Sequence, residues 1–453
     1  MYIRFCFSDM RRTRRRCRRC HGFALFLVLV NVTVVGYNML TLRQPLAQSV
    51  PSHHRSNALH PAPDFVLTTT TTVVGHFLPA IAVTDGPSLP TRHLPGSDLG
   101  LDSRSFCGGR LVAYGHQFAL LRSAVVDRRY CRSERKGGEA MDTVINQPES
   151  VEYYRFVRGC FQIACAASDP STTSGKLEYE FNVGNNHLNE WLRSVKLTNT
   201  DASADNVDRL PRFTIAVTRY EYANLYHTVT DWYNAFLLLC FFNETSDSTD
   251  ILFIDAHPSG SLDPVWRRLF RRTLRLSDLS PDRPTLFERL AWGWRGYDSP
   301  ITIYPTSPKP PLFEEFRSFF LSTYGVPAAS TLPGRPDCDA MRLSVVFIWR
   351  RDYVAHPRNP QGSVGRKIAN EDELLRRVKL QLPQARVTGV QIDRFTMAEQ
   401  LRIIADTDIL IGDSMAEQLR IIADTDILIG EKMNRVRGRA RAEPQPADWG
   451  SAL

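Results

Sequence analysis

Thr218-Arg-Tyr-Glu-Tyr-Ala-Asn-Leu-Tyr-His-Thr-Val-Thr-Asp-Trp-Tyr-Asn234 is the stretch that decides how this chain folds. Tyr226, Val229 and Tyr233 form one apolar stripe at helical spacing with Trp232 beside it, which predicts a helix over Glu221–Phe242. Asn224, His227 and Asp231 recur at i, i+3 and i+7, so on a helix they share a face about 100° wide. That face offers a pocket a carboxylate, an imidazole and an amide. The structural alternative is a half-buried helix whose polar groups only satisfy one another.

Outward from that helix, strand and helix signals alternate. Phe213 to Thr218, Ile251 to Ile254, Leu343 to Trp349, Arg386 to Gln391 and Asp408 to Ile411 read as strands. Leu312 to Tyr324, Asn370 to Leu380 and Met397 to Ala405 read as helices. Such alternation predicts an α/β fold with a largely parallel sheet. The signals from 104 to 209 are mixed.

The quoted segment resembles the signature of plant-type β-1,2-xylosyltransferases, in glycosyltransferase family 61. Phe106-Cys-Gly-Gly-Arg110 resembles that family's Cys-x-Gly-Gly-Arg element, and Leu252-Phe-Ile-Asp-Ala-His257 its strand ending in Asp-Gly-His. Val265-Trp-Arg-Arg-Leu-Phe270 follows at the family's distance. Val346 to Arg358, with Arg350-Arg351 and Tyr353-Val-Ala-His-Pro-Arg358, resembles its Arg-Arg-x-Asp-Tyr-x-Ala-His-Pro-Arg run without the spacer after the arginine pair. Asn370-Glu-Asp-Glu373 resembles its Asn-Glu-Glu element. The similarity runs from about 210 to 412, with a weaker patch near 107. It implies a GT-B-like pair of Rossmann-type halves, the second truncated. It also implies inverting transfer of xylose from UDP-xylose to the core β-mannose of an N-glycan or glycoprotein. The same family contains protein O-GlcNAc transferases of the endoplasmic reticulum. The Tyr353–Arg358 run and a threonine-rich stem favour xylosyl transfer.

The net charge of +8 is concentrated at the ends. Residues 1–20 carry eight arginines and one aspartate, and residues 431–453 five basic and three acidic side chains, leaving the 410 residues between near −1. No basic face remains there to track nucleic-acid phosphates. The basic tail, 1–21, precedes an apolar run from Gly22 to Leu42, long enough at 1.5 Å per residue to cross a bilayer. Charge bias predicts a single-pass type II signal anchor with a lumenal catalytic domain in the Golgi, or alternatively the endoplasmic reticulum. Residues 43–103, rich in Pro, Ser, Thr and His with five threonines at Thr68–Thr72, read as a disordered stem ahead of a catalytic domain over 104–412. Cys17 and Cys20 are candidates for palmitoylation. Cys107, Cys131, Cys160, Cys165, Cys240 and Cys338 would meet an oxidising lumen, where disulfides are expected. Asn243-Glu-Thr245 is a glycosylation sequon.

Met397 to Gly412 recurs without a change as Met415 to Gly430, a period of 18. Two perfect copies are too few for a solenoid and read as a recent duplication or an assembly error. After this glycine the family pattern continues with a His-Gly-Ala-Gly loop; here the second copy leads into an Arg/Ala/Gly/Pro-rich tail. Residues 413–453 therefore read as a duplicated segment and aberrant tail, and a non-catalytic remnant is an alternative function.

Transfer with inversion needs a base for the acceptor hydroxyl, positive charge or N–H donors for the diphosphate, and in-line positioning. Asp231 or His227 is the candidate base, with Asn224, Asp255 and His257 as candidate acceptor contacts. Arg350 and Arg351 end a predicted buried strand, where ligands of parallel sheets gather, and their planar forks suit phosphate oxygens. His356, Arg358 and Lys367, with Arg366, complete the candidate nucleotide-sugar set. A divalent metal is not evident: Asp406-Thr-Asp408 has manganese-ligand spacing but reads as helix-end and loop residues. Neither a Gly-rich phosphate loop nor a Gly-x-Ser-x-Gly elbow occurs.

Overall fold

The computed structural model describes residues 99–166, 169, 191–199, 201, 206–294, 296, 299–303, 310–327, 343–351, 356–362, 368, 370–412 and 427–430. The expected anchor, the stem as far as residue 98 and the tail from 431 on, together with Cys338, Arg366 and Lys367, lie outside them; residues 99–103, expected in the stem, are described, and Ser103 starts the first strand. Among the described residues no helix is long and apolar enough to cross a membrane.

Strands β1 (Ser103–Phe106), β2 (Leu111–Tyr114) and β3 (Phe118–Val126) form an antiparallel meander. β4 (Cys131–Arg132) and β5 (Arg155–Phe156) make a separate two-residue ladder. β6 (Phe161–Ala164) pairs with β3 and carries β7 (Val195–Thr198) beside it. Disulfides Cys107–Cys165 and Cys131–Cys160 pin this irregular region, closing loops of 58 and 29 residues. Chain-entropy arguments put each crosslink at about 4 kcal/mol. Cys240 stays a buried free thiol.

Next come β8 (Asp208–Val217), α1 (Leu225–Phe242), β9 (Asp250–Phe253), α2 (Asp263–Leu269), β10 (Arg272–Arg275) and β11 (Thr285–Trp292). β11, β8, β9 and β10 run parallel, and β11 joins them antiparallel to β3. Among the described residues the large sheet has nine strands, and those from β8 onward run parallel to one another, as the alternation from 210 on predicted. Its antiparallel strands come from the region whose pattern was mixed.

After α3 (Pro300–Ile303) and α4 (Phe313–Thr323), a second sheet is built from β12 (Ser344–Ile348), α5 (Glu371–Gln381), β13 (Arg386–Val390), α6 (Met397–Ala405), β14 (Ile409–Gly412) and β15 (Ile427–Gly430). It is all parallel, in the order β13-β12-β14-β15. β12 is buried along its whole length, the burial expected of a central parallel strand.

α1 is sequestered from Thr228 to Cys240 because its second half is apolar on every side. Trp232 packs on Trp266 and Phe320, and Phe236 stacks on Phe319 at 5.2 Å. One apolar cluster continues from β8 and α1 through α2 and α4 to Val346, Ile348, Leu401, Ile404 and Leu410 of the second sheet. A second cluster fills the opposite face of the large sheet, where Trp191 stacks on Trp292 at 4.4 Å.

Each sheet reverses its strand order once. From β8 the chain adds β9 and β10 on one side and returns to place β11 on the other. From β12 it adds β13 on one side and β14 on the other. Ligands of open α/β sheets bind outside the carboxyl ends of the strands at such reversals. The fold therefore offers two crevices, one past β8 and β11 and one past β12 and β14.

The duplicated segment joins the second sheet. β15 pairs with β14 residue against identical residue, Ile409 with Ile427 through Gly412 with Gly430. Excising one 18-residue copy leaves a single uninterrupted repeat and removes this edge ladder. Its few backbone ladder bonds, at roughly 0.5–1.5 kcal/mol net each, put the loss at a few kcal/mol. The excised protein is expected to unfold cooperatively in urea, at a lower midpoint. Loss of cooperative unfolding would show that β15 is integral to the sheet.

Candidate functional site

The first crevice is floored by a buried ion network. β8 ends at Val217, and two residues later Arg219, 1% exposed, donates to Asp255 from its backbone N–H at 2.9 Å, from Nη2 at 2.7 Å and from Nε at 3.2 Å. Its Nη1 reaches Asp263 at 2.8 Å, and its guanidinium lies 4.1 Å from the Phe253 ring centroid. Arg275 closes the chain from below, donating to Asp263 at 2.7 Å and to the His257 carbonyl at 3.0 Å. Burial pushes the Asp255 carboxyl up, but the charge and hydrogen bonds of Arg219 outweigh it and hold it at about 2.

His257 and Glu152 extend the network. The imidazole Nε2 lies 3.0 Å from the Arg219 carbonyl, which can only accept, so Nε2 carries a proton. Nδ1 meets Glu152 Oε2 at 2.8 Å, and that contact requires a further proton shared between imidazole and carboxyl. Glu152, fully buried, also accepts from Gln147 at 2.7 Å.

A second chain of contacts crosses between the loop entering α1 and the loop leaving β12. Glu221 Oε1 accepts the backbone N–H groups of Tyr222 at 2.8 Å and Ala223 at 3.2 Å, and His356 Nε2 at 3.0 Å. His356 Nδ1 accepts the Arg358 backbone N–H at 3.1 Å, which puts the ring proton on Nε2. Arg358 then bridges to Glu149 at 3.4 Å and Glu152 at 3.5 Å, and its carbonyl accepts the Asn146 N–H. Burial opposes ionisation of Glu221, but the His356 hydrogen bond and the two amides prevail and hold it at about 2.

The structure thus sorts the expected site residues. Asn224 is the N-cap of α1, its side-chain oxygen accepting the Tyr226 N–H at 3.0 Å. That cap and the Glu221 bonds to Tyr222 and Ala223 start the helix at Leu225 rather than Glu221, so the polar face reduces to His227 and Asp231, one turn apart. His227 is half-buried, its ring edge-on to Tyr220 at 4.3 Å, and burial lowers its pKa against the pull of Glu221. Asp231 is 2% exposed; Oδ2 accepts the Tyr220 N–H at 3.3 Å, while Oδ1 is buried with no hydrogen-bond partner. Burial raises its pKa well above the usual carboxylate range. It sits at the first crevice, against Tyr220 past β8 and Gly296 past β11, where a Cβ on Gly296 would come within 3.4 Å of Oδ1.

Asp255 and His257 are buried beneath this crevice with their polar atoms committed to Arg219 and Glu152. They brace it from below, their hydrogen-bonding positions filled by protein partners rather than offered to an acceptor. Arg350, half-buried, follows β12 at the second crevice next to Trp349, whose indole lies over Gly389. Arg351 is exposed and tied to Glu371 and, at 3.5 Å, Asp372 in the first turn of α5. Asn243, the exposed left-handed C-cap of α1, offers its sequon at the surface. Asp406 caps the end of α6 and Asp408 accepts the Ser344 N–H at 2.8 Å. Among the described residues no group of His, Cys, Asp or Glu is placed to hold a metal ion.

Sequence reasoning passed over Arg219, Glu152, Glu221 and Asp263. Arg219 and Glu221 stood inside the quoted stretch, and their position just past a strand end was the available signal. Glu152 lies in the region without a clear period.

Comparison with known proteins gives the class. The chain is 25% identical to a β-1,2-xylosyltransferase of Oryza sativa subsp. japonica, over 66% of this chain and 60% of that protein. It is 23% identical to a β-1,2-xylosyltransferase of Arabidopsis thaliana, over 61% of each. No protein-family model matches the chain. The chain is a xylosyltransferase-like relative of these two proteins and spans about 60% of the length of each.

Two outcomes test the site's electrostatics. Removing one partner of a buried pair strands the other charge, so Asp255→Ala is expected to cost roughly 3–5 kcal/mol in urea unfolding at pH 7. A loss below about 1 kcal/mol would contradict the buried network. Because Asp255 titrates lower when folded, its contribution is present above its unfolded pKa near 3.9 and fades as pH falls toward 2.

Asp231 has the opposite sign. Its folded pKa is raised, so its contribution is full below about pH 3.9 and lost as pH rises through the folded value. Asp231→Asn should therefore lack a downward stability slope that the wild type shows above pH 4. Parallel slopes for the two proteins would mean that Asp231 is not a buried titrating group.

Proposed function

We propose that this protein is an inverting glycosyltransferase that moves xylose from UDP-xylose to the core β-mannose of N-glycans, working as a single-pass type II protein of the Golgi membrane. The observation that carries this reading is the pair of crevices at strand-order reversals, one holding Asp231 and the other Arg350, in a chain related to β-1,2-xylosyltransferases. Two Rossmann-type halves of a GT-B arrangement would use those crevices for acceptor and nucleotide sugar.

In the reaction the acceptor oxygen attacks the anomeric carbon, the bond from that carbon to the diphosphate breaks, and UDP departs with its electron pair. The base takes the acceptor proton. Asp231 suits that task because burial lifts its pKa toward the working pH and Oδ1 has no other partner. His227, one turn nearer solvent, is the second candidate and stays largely neutral near pH 7. Arg350 would supply positive charge to the diphosphate, and Arg351 could join by releasing an exposed pair worth little. His356 and Arg358 would shape the loop between them, and Lys367 would add charge to the same clamp.

The test is transfer by the full chain in detergent, with labelled UDP-xylose and an N-glycan exposing its core β-mannose. Xylose is expected on the mannose in β linkage. Arg350→Ala should raise the donor KM about 10- to 100-fold, the worth of a charged hydrogen bond. Asp231→Asn should abolish turnover with substrate affinity kept; full turnover would leave His227 as the base. Transfer of GlcNAc to protein hydroxyls instead would support the O-GlcNAc reading, and no transfer from either donor a non-catalytic chain.

A further inference from the structure

Glu221 is the residue that the two loops share and that no step above uses. Its Oε1 is saturated by two backbone amides and His356, which fixes the carboxylate plane. Its Oε2 accepts no hydrogen bond from the described residues, and the side chain keeps 16% of its surface exposed. The acid stands three residues ahead of the α1 cap, close enough to His227 to act on its titration, and it touches the loop that leaves β12. Its carboxylate thus joins the loop entering α1 to the loop leaving β12, the segments that follow β8 and β12 at the two strand-order reversals.

We propose that Glu221 is a sugar-binding carboxylate of this cleft, its Oε2 accepting hydrogen bonds from a pair of hydroxyls on a neutral pyranose. The inference rests on the functional reading above and deepens it. Ionised and held by three donors, the group is an acceptor only, which matches hydroxyl donors and makes it a poor base. Its negative charge repels a diphosphate, so the ligand is the sugar and not the phosphates. A carboxylate fixed by the backbone aims its remaining lone pairs without losing rotamer freedom on binding, which is how a site discriminates by hydroxyl pattern. The pyranose could be the acceptor mannose or the transferred pentose, which share this chemistry.

The test is a cycle between Glu221→Gln and deoxy substrates. The glutamine is isosteric and can still accept at Oε1, so the loop contacts are retained while the acceptor at Oε2 becomes a donor. The substitution should raise the KM of one substrate about 10- to 100-fold while urea unfolding stays cooperative, at a midpoint lowered by loss of the ionised contact to His356. A rise confined to the glycan assigns the site to the acceptor, and one confined to UDP-xylose assigns it to the donor. A substrate lacking the contacted hydroxyl should lose a similar factor on the wild type and little more on the variant. Full additivity of variant and deoxy effects, or unchanged KM for both substrates, would overturn the proposal.

If the wild type transfers nothing, the functional reading fails on its own. Saturation-transfer NMR with methyl β-mannopyranoside and with xylose then decides the pocket. Signal on the wild type that Glu221→Gln removes supports it, and signal equal on both proteins, or absent from both, sinks it.

Discussion

Everything at the first crevice depends on Arg219 being neutralised underground. A guanidinium 1% exposed is tolerable only because Asp255 and Asp263 take its donors, and Asp263 in turn needs Arg275. Each of these residues stands at or just past the end of a strand or at the start of α2. The network therefore clamps the carboxyl edges of β8, β9 and β10 together and sets the path of the loop that leads into α1. Its energy comes less from attraction than from the cost of stranding any one member.

Above that clamp the charges are arranged by solvent access. Asp255 is forced to ionise by its partner, whereas Asp231, with one weak amide contact, is forced toward the neutral acid. Two buried aspartates with opposite tendencies give one a structural part and leave the other the base of the proposed reaction. The link to the second sheet runs through His356 and Arg358, whose polar atoms engage acids of the first half. The loop after β12 is thus held by the same acidic surface that surrounds the first crevice, while Arg350 stays with the second.

Much of this was legible from residues alone. The strands at 251–254 and 343–349 and the helix at 397–405 announced themselves by their apolar patterns, and the structure places them within a residue or two. The antiparallel strands before 200 were not legible, because two disulfides and short ladders replace hydrophobic period there. At the site, His227 and Asp231 could be read from helical spacing, yet Asn224 could not be told from a cap without its bond to Tyr226. Asp255 and His257 at a strand end fitted a cleft contact and a loop cap equally well, since Asp and His do both. Only the buried arginine two residues past β8 explains why they face inward. The duplication read as an aberration; its second strand nonetheless extends the sheet, because an identical strand satisfies the same parallel ladder.

The most direct measurement is a crystal structure of the protein with UDP bound. The account predicts the diphosphate at the carboxyl ends of β12 and β14 with its oxygens on Arg350, leaving the crevice of Asp231 and Glu221 open for a sugar. A nucleotide bound instead past β8 and β11, with its phosphates beside those carboxylates, would contradict it.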